Sequence, residues 1–494
     1  MRVTFIGGGS LRLLPILRGI FSVVPEFFRN GEVRLMDLSL ERAEAVGKMI
    51  LACPEYNNVN CQVIWTDDID SALKDIDVLY LTMAACSEPS TMQSAIIGAR
   101  YGYHASDNLS IQGAFLSLRL GKTIYDIAKK LEKHSPDALM LIFPNPIAVY
   151  SHLVNTHTKI KALGICGGFN NHRYDLTRLC GKDAYDPAWN VVAAGINHLS
   201  YILRGEKDGR DLYTEILPQY LTDDWKPVKI NHPSEKVRSN ITNALIMLAT
   251  MFRNGNKIVF STEGDGLAHI FRGFMREVQK QNLAGIKNFD PLAYGDQWRS
   301  DIAEKFRKFI EFSKQPSKVD WSGADPLFAI NKTDITIRIF QALGGYGEMR
   351  IVASRPNGSA VYGFGDEMPL EYTMDINGKN ITPVANQYIP EPFYGLTASL
   401  SEFQRLQSEA IAAWSPEIFA QALEAYPVHQ FEDVRKEFFC EMFDIFSDID
   451  PVMLTAKNYF KVPARSILNN FDFKAKTCGK SRQEDCHMAS KTMA

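Results

Sequence analysis

Cys166 and His198 are the two side chains whose chemistry is most specific in this 494-residue sequence. A thiolate and a neutral imidazole suit a borderline divalent ion, and two protein ligands leave positions open for substrate oxygens, as a Lewis-acid role requires. Each ends an apolar run: Ile160 to Ile165 leads to Cys166-Gly167-Gly168, and Asn190 to Ile196 leads to Asn197-His198. A free cysteine is also a common small core residue, so a structural reading stays open. Two more polar clusters follow apolar runs. Leu139 to Phe143 stops at Pro144-Asn145-Pro146, and Lys257 to Phe260 is followed by Glu263, Asp265 and His269. Asn145 and Asn197 carry amides able to hydrogen-bond a substrate hydroxyl, although Asn145 can equally cap its proline-flanked turn. Asp265, between two glycines, is a candidate general base or a turn residue. His269 shares its face if that segment is helical, and is the second candidate for the same proton.

These clusters need a scaffold, and the first forty residues indicate which. Val3 to Ile6 reads as a buried strand, followed at once by Gly7-Gly8-Gly9-Ser10. A helix through Ile16, Leu17, Ile20 and Phe21 runs to Pro25, with Pro15 in its first turn, and a second strand, Glu32 to Met36, ends in Asp37. Strand, glycine turn, helix, strand and acid form the unit that holds NAD, with the acid accepting from the ribose hydroxyls. The third glycine of the motif is absent, and a tight turn beside a capping aspartate is the alternative. Strands at Cys61 to Trp65 and Val78 to Thr82 alternate with helices at Leu40 to Cys53 and Ala114 to His134. This spacing predicts a parallel, doubly wound sheet, in which ligands bind outside the carboxyl ends of the strands. The four polar clusters are therefore candidates for one cleft.

The fold class expected is α/β: an N-terminal Rossmann-like doubly wound sheet, with a C-terminal mixed α/β domain of the lactate and malate dehydrogenase kind. The divisions are residues 1–198 for NAD, 199–472 for substrate, metal and oligomerisation, and 473–494 for a disordered tail. Residues 211 to 316 read as mostly helical, strands return between Ile335 and Met374, and long amphipathic helices cover Thr397 to Ala425 and Val434 to Phe446. Hydrophobic residues make up 46% and charged residues 22%, with a formal net charge of -3. That balance gives no reason to expect nucleic acid or a membrane surface as partner. No apolar run approaches membrane-spanning length, and the opening residues read as strand rather than leader. Eight irregularly spaced cysteines suggest a reduced, cytoplasmic protein.

The opening glycines with Ser10, Asn145-Pro146, Gly164-Ile165-Cys166, Gly195-Ile196-Asn197-His198 and the C-terminal helices together resemble glycoside hydrolase family 4. These are the NAD- and manganese-dependent glycosidases, and the resemblance runs over roughly residues 1 to 450 in matching order. It implies an exception to two-carboxylate glycoside hydrolysis. NAD oxidises the sugar at C3, and a metal held by the Cys, the His and sugar oxygens polarises the ketone. A base removes the C2 proton, the aglycone leaves by elimination, water adds at C1 and the ketone is reduced back. The resemblance implies Cys166 and His198 as metal ligands, Asn145 as a substrate contact, and Gly7, Gly9, Ser10 and Asp37 as the NAD site. Asp265, in Gly264-Asp265, matches the base of the branch acting on unphosphorylated sugars. Many members carry Asp, Asn or His directly after the metal Cys, where this chain has Gly167; Asn170, Asn171 or His172 are nearby substitutes. The arginine-rich segment of phosphoglucosidase members is missing from Met83 to Pro89, and Arg100-Tyr101-Gly102-Tyr103 resembles the α-glucosidase-like branch. The implied substrate is an unphosphorylated hexoside or uronide, and the family commonly forms homodimers or homotetramers. The rival readings are an NAD-dependent dehydrogenase of 2-hydroxy acids or sugars, and a non-catalytic NAD- or sugar-binding protein.

Overall fold

A computed structural model of the chain describes residues 1–83, 89–255, 259–260, 263–271, 291–332, 334–428 and 432–461. The tail expected to be disordered, 473–494, and most of the arginine-poor segment after the fourth strand lie outside the described residues.

In chain order the strands are β1 (Arg2–Ile6), β2 (Gly31–Met36), β3 (Cys61–Thr66), β4 (Val78–Leu81), β5 (Leu139–Ile142), β6 (Lys161–Gly164), β7 (Asn190–Ile196), β8 (Leu199–Lys207) and β9 (Arg210–Asp211). They continue with β10 (Val259–Phe260), β11 (Met349–Pro356), β12 (Val361–Tyr362), β13 (Pro369–Asn377), β14 (Asn380–Pro383) and β15 (Gln387–Tyr388). One half of the main sheet has the order β3-β2-β1-β4-β5-β6, all parallel, with Phe5 flanked by Leu35 and Tyr80. Helices cover both faces of such a sheet, which is why its strands read as continuous apolar runs. This is the doubly wound order in which the glycine turn after β1 sits at the switch point between β1 and β4.

The other half is antiparallel. The β11–β13 ribbon inserts between β6 and β7, through Ser354 opposite Gly164 and Glu371 opposite Gly195. β7 and β8 form a tight hairpin, with Ile196 opposite Leu199 and only Asn197 and His198 in the turn. Chain from beyond residue 340 thus lies between two strands expected to follow one another. No helix among the described residues is long and apolar enough to cross a membrane.

Two expectations need correction. Ile335 to Leu343, whose alternating isoleucines suggest a strand, is a helix. Asp334 caps it by accepting from the Thr336 amide, and Ile335, Ile337, Ile339 and Phe340 are all buried, so tertiary packing overrides the β-branched preference. The single helix expected over Thr397 to Ala425 is two, Glu391–Ala413 and Pro416–Ala425. Trp414 takes a left-handed conformation, and Ser415 caps a new helix that Pro416 opens.

The helix Leu13–Val23 that follows the glycine turn is anchored by Arg18, which is only 1% exposed. Its guanidinium donates to both Glu55 oxygens at 2.7 and 2.8 Å and to the Phe328 carbonyl, and lies 4.9 Å from the Trp321 ring centroid. Removing one partner of a buried pair leaves the other uncompensated. Arg18→Met is therefore expected to lower the unfolding free energy by about 3 kcal/mol. Urea denaturation checks this, and an unchanged midpoint would contradict the anchoring role.

Candidate active site

His198 occupies the second position of the β7–β8 turn with φ +69°, a left-handed conformation that few non-glycine residues adopt and that a two-residue hairpin turn favours. The helix Gly264–Ile270 packs directly on the turn. A Cβ at Gly266 would lie 2.0 Å from the His198 carbonyl oxygen, so only glycine permits the approach. The same approach brings Asp265 against His198. Nδ1 of the imidazole is 2.9 Å from Oδ1 and 3.0 Å from Oδ2 of the carboxylate. Ser106 donates its hydroxyl to Oδ2 at 2.6 Å, and the Gly266 and Leu109 amides donate at 3.1 and 3.5 Å.

The other edge of the ring faces two more donors. Nε2 lies 3.6 Å from Cys166 Sγ and 3.6 Å from Glu263 Oε2. These three donor atoms all lie within 4.8 Å of one another. Donors sharing an ion with bonds of about 2.0 to 2.3 Å come this close. A thiolate, an imidazole and a carboxylate are also a chemically suitable set for a divalent cation. Behind the ring, Nδ1 paired with a carboxylate fixes the tautomer that presents Nε2, as such partners do at metal-ligating histidines.

Burial and charge pull these groups in opposite directions. Burial pushes His198 down, but the Asp265 and Glu263 carboxylates outweigh it and hold the imidazole well above its ordinary value. Burial likewise pushes Asp265 up, but His198 and the Ser106 hydroxyl hold it far below the usual carboxylate range. For Glu371 on β13 burial prevails over the pull of the same imidazole. Burial pushes it up to about 7, against the lowering effect of the Asn197 bond and with Glu263 adding repulsion.

A second layer supports the turn. Asn197, 1% exposed, accepts from the Asn108 amide and donates to Glu371 Oε1 at 2.8 Å. Asn108 also accepts from Gln404 on the helix Glu391–Ala413 at 3.4 Å. Asn145, joined to Pro146 by a cis peptide, donates to Asp107 Oδ2 at 3.0 Å, while its buried Oδ1 has no partner among the described residues. At the β1 end, Gly7 takes φ +84° and donates to the Met36 carbonyl, and Gly9 donates to Asp37 Oδ2 at 2.9 Å. The Ser10 amide closes the turn onto the Gly7 carbonyl at 2.9 Å. The following helix has no side-chain cap and no acid in its first turn, which suits an anionic group at its amino end.

Residues 2–180 match the Family 4 glycosyl hydrolase description, and residues 193–428 match the Family 4 glycosyl hydrolase C-terminal domain. The chain belongs to glycosyl hydrolase family 4. An alpha-galactosidase of Bacillus subtilis (strain 168) is 31% identical over 218 residues, 44% of this chain and 50% of the relative, so that match spans about half of its length. An alpha-galacturonidase of Thermoanaerobacter italicus is 22% identical over 474 residues, 90% of this chain and 96% of the relative. In fold, a 6-phospho-alpha-glucosidase from gut microorganisms, solved in complex with NAD and Mn²⁺, superposes with a TM-score of 0.70 at 16% identity. That superposition covers 91% of this chain and 99% of the solved chain.

In this family 4 chain the two expected metal ligands meet, although they come from opposite halves of the sheet. Other residues occupy different surroundings from those expected. Asp265, expected to accept a proton, has both oxygens filled by His198, Ser106 and backbone amides. His269 does share the helix with Asp265, but its ring spans the Asp265 carbonyl at 2.7 Å and the Tyr426 hydroxyl at 3.0 Å, with neither nitrogen left over. The side chain of Asn197 is similarly committed within the protein. His172, offered as a substitute beside Gly167, is buried against Ser200 Oγ at 2.7 Å, and the side chains of Asn170 and Asn171 lie outside the described residues. A Cβ at Gly167 would meet nothing within 4 Å among the described residues, so none of them fills the space beside Cys166. Ser106, Asn108 and Glu371 carry no recognisable motif, and nothing short of the tertiary contacts assigns them to this site.

Glu371 provides a pH test. In the metal-free folded protein it keeps its proton up to about 7, whereas in the unfolded chain it ionises near the ordinary value of 4.5. The folded state therefore binds more protons between those limits, and this group's contribution to stability falls as pH rises through them. Glu371→Gln is expected to gain up to about 3 kcal/mol over the native chain between pH 5 and pH 8. Urea midpoints at the two pH values measure it, and a pH-independent difference would contradict the assignment.

Proposed function

We propose that the protein is a glycoside hydrolase that uses NAD and a divalent metal, manganese being the expected ion. The observation that carries this reading is the convergence of Cys166 and His198 within a family 4 chain. When bound, NAD supplies reversible hydride acceptance and the metal supplies Lewis acidity.

The chain's own groups prepare the site. Cys166 and His198 hold the ion, and Gly167 leaves room beside it. Asn145 offers its unpartnered Oδ1 to a sugar hydroxyl. Gly7, Gly8 and Gly9 keep side chains out of the turn that Ser10 closes, so that the backbone can approach the pyrophosphate, and Asp37 retains acceptor capacity for a ribose hydroxyl after its two backbone bonds. We assign Asp265 to positioning: it holds Nδ1 of His198 so that Nε2 faces the ion. A carboxylate held far below its usual range, with its lone pairs filled, is a poor acceptor for a C2 proton.

The substrate class we propose is an unphosphorylated hexoside or uronide. The alpha-galactosidase and alpha-galacturonidase relatives support it, as does the lack of arginine between Met83 and Pro89. A cytoplasmic, homo-oligomeric enzyme completes the proposal; the five described cysteines are all free.

A panel of α- and β-nitrophenyl glycosides, neutral, uronic and 6-phosphorylated, tests the function with and without NAD and Mn²⁺. Hydrolysis is expected to need both, with no net NADH. NADH accumulating on free sugars or hydroxy acids, without hydrolysis, would favour a dehydrogenase. Cys166→Ser should abolish metal-stimulated turnover while NAD affinity stays nearly unchanged; equal loss of both would make Cys166 structural. Asp265→Asn should weaken Mn²⁺ by about 10- to 100-fold. At saturating Mn²⁺ that variant should still exchange the C2 proton with solvent, and loss of exchange there would make Asp265 the base after all.

A further inference from the structure

We propose that Glu263 is a third protein ligand of the divalent ion, completing a Cys–His–Glu set; this rests on the reading of Cys166 and His198 as metal ligands. Glu263 precedes the helix Gly264–Ile270 and its carbonyl accepts from the Leu267 amide at 3.0 Å. Its side chain makes no capping bond to that helix. The backbone alone secures the helix start, and the carboxylate is turned towards the cluster, with Oε2 3.6 Å from His198 Nε2. Cys166, His198 and Glu263 are all half-buried, so the three donors are partly accessible rather than sealed in the protein interior.

Charge and donor type both favour the assignment. A thiolate and a carboxylate cancel the charge of one dication among its direct ligands, and the Asp265 carboxylate behind the imidazole adds a negative charge that favours retaining the cation. Cysteine and histidine alone form a donor pair better suited to zinc or iron, whereas a carboxylate oxygen hardens the set towards manganese. Glu263 thus acts on which ion is retained as well as on how tightly. Asp265, two residues further on, sits behind the imidazole. The short segment Glu263-Gly264-Asp265 therefore addresses both edges of the same ring, one through the ion and one through Nδ1.

The test uses full-length, metal-free protein and Mn²⁺ alone as probe, with free Mn²⁺ followed by electron paramagnetic resonance and the melting temperature recorded with and without the ion. Glu263→Gln is expected to bind Mn²⁺ roughly 100-fold more weakly, since even outer partners of metal ligands cost 10- to 100-fold. It should also lose the Mn²⁺-dependent rise in Tm and bind Zn²⁺ with a smaller loss, so that the Mn²⁺/Zn²⁺ affinity ratio falls. An unchanged metal-free Tm guards against misfolding. Should that variant not fold, Glu263→Asp carries the test, because withdrawing the carboxylate by one methylene is expected to weaken Mn²⁺ by about tenfold. Mn²⁺ affinity within about twofold of the native chain in Glu263→Gln, with Cys166→Ser devoid of binding, overturns the third ligand and leaves the proposed function standing. Absence of Mn²⁺ binding by the native chain itself overturns both.

Discussion

The contact between His198 and Asp265 is the constraint on which the rest of the site depends. It forms because a two-residue hairpin turn and the first turn of a short helix approach until backbone meets backbone, an approach that Gly266 alone permits. The imidazole is held in a left-handed turn position and cannot relax without breaking the pair. Asp265 is only 6% exposed, and a carboxylate that deeply buried survives ionised because the imidazole, a hydroxyl and two amides share its charge. Losing any of these donors leaves buried charge uncompensated, so the arrangement is rigid as well as demanding.

Around that pair the chain gathers further acidic groups. Cys166 and Glu263 face Nε2, and Glu371 lies one hydrogen bond beyond Asn197. Burial, with repulsion from Glu263 added, holds Glu371 up to about 7. A protein interior tolerates such crowding when a cation completes it. The buried amides of Asn108, Asn197 and Gln404 contribute a different property. They link the segment before the helix Ile111–His134, the hairpin turn, β13 and the helix Glu391–Ala413, so elements distant in sequence fix one turn in space.

The two halves of the sheet divide the work. The parallel half delivers the glycine turn and Asp37 at the switch point, together with Asn145 and Cys166 after the carboxyl ends of β5 and β6. The antiparallel half delivers His198. The inserted β11–β13 ribbon joins them through Ser354 and Glu371, opposite Gly164 and Gly195. A residue pair 32 positions apart thus shares one site only because chain from residues 349 to 377 bridges the strands that carry it.

By itself the sequence determined what is local or periodic. The strand, glycine turn, helix and acid of the first forty residues follow from runs of apolar residues and from backbone demands that glycine and proline signal directly. Cys166 and His198 were legible because their residue types are chemically distinctive and each follows a strand. Tertiary structure decided what depends on two remote segments meeting. The alternating isoleucines from Ile335 satisfy strand and helix patterns alike, and burial of all but the face carrying Arg338 and Gln341 accompanies the helix. Asp265 and His269 are bonded to Ser106, Tyr426 and the hairpin turn, all remote from them in sequence. Glu263 stood in sequence only as a member of a polar cluster after an apolar run, and Asn108 and Glu371 are ordinary polar residues. Their significance comes from the direction each side chain faces once the sheet has closed, which local periodicity does not encode.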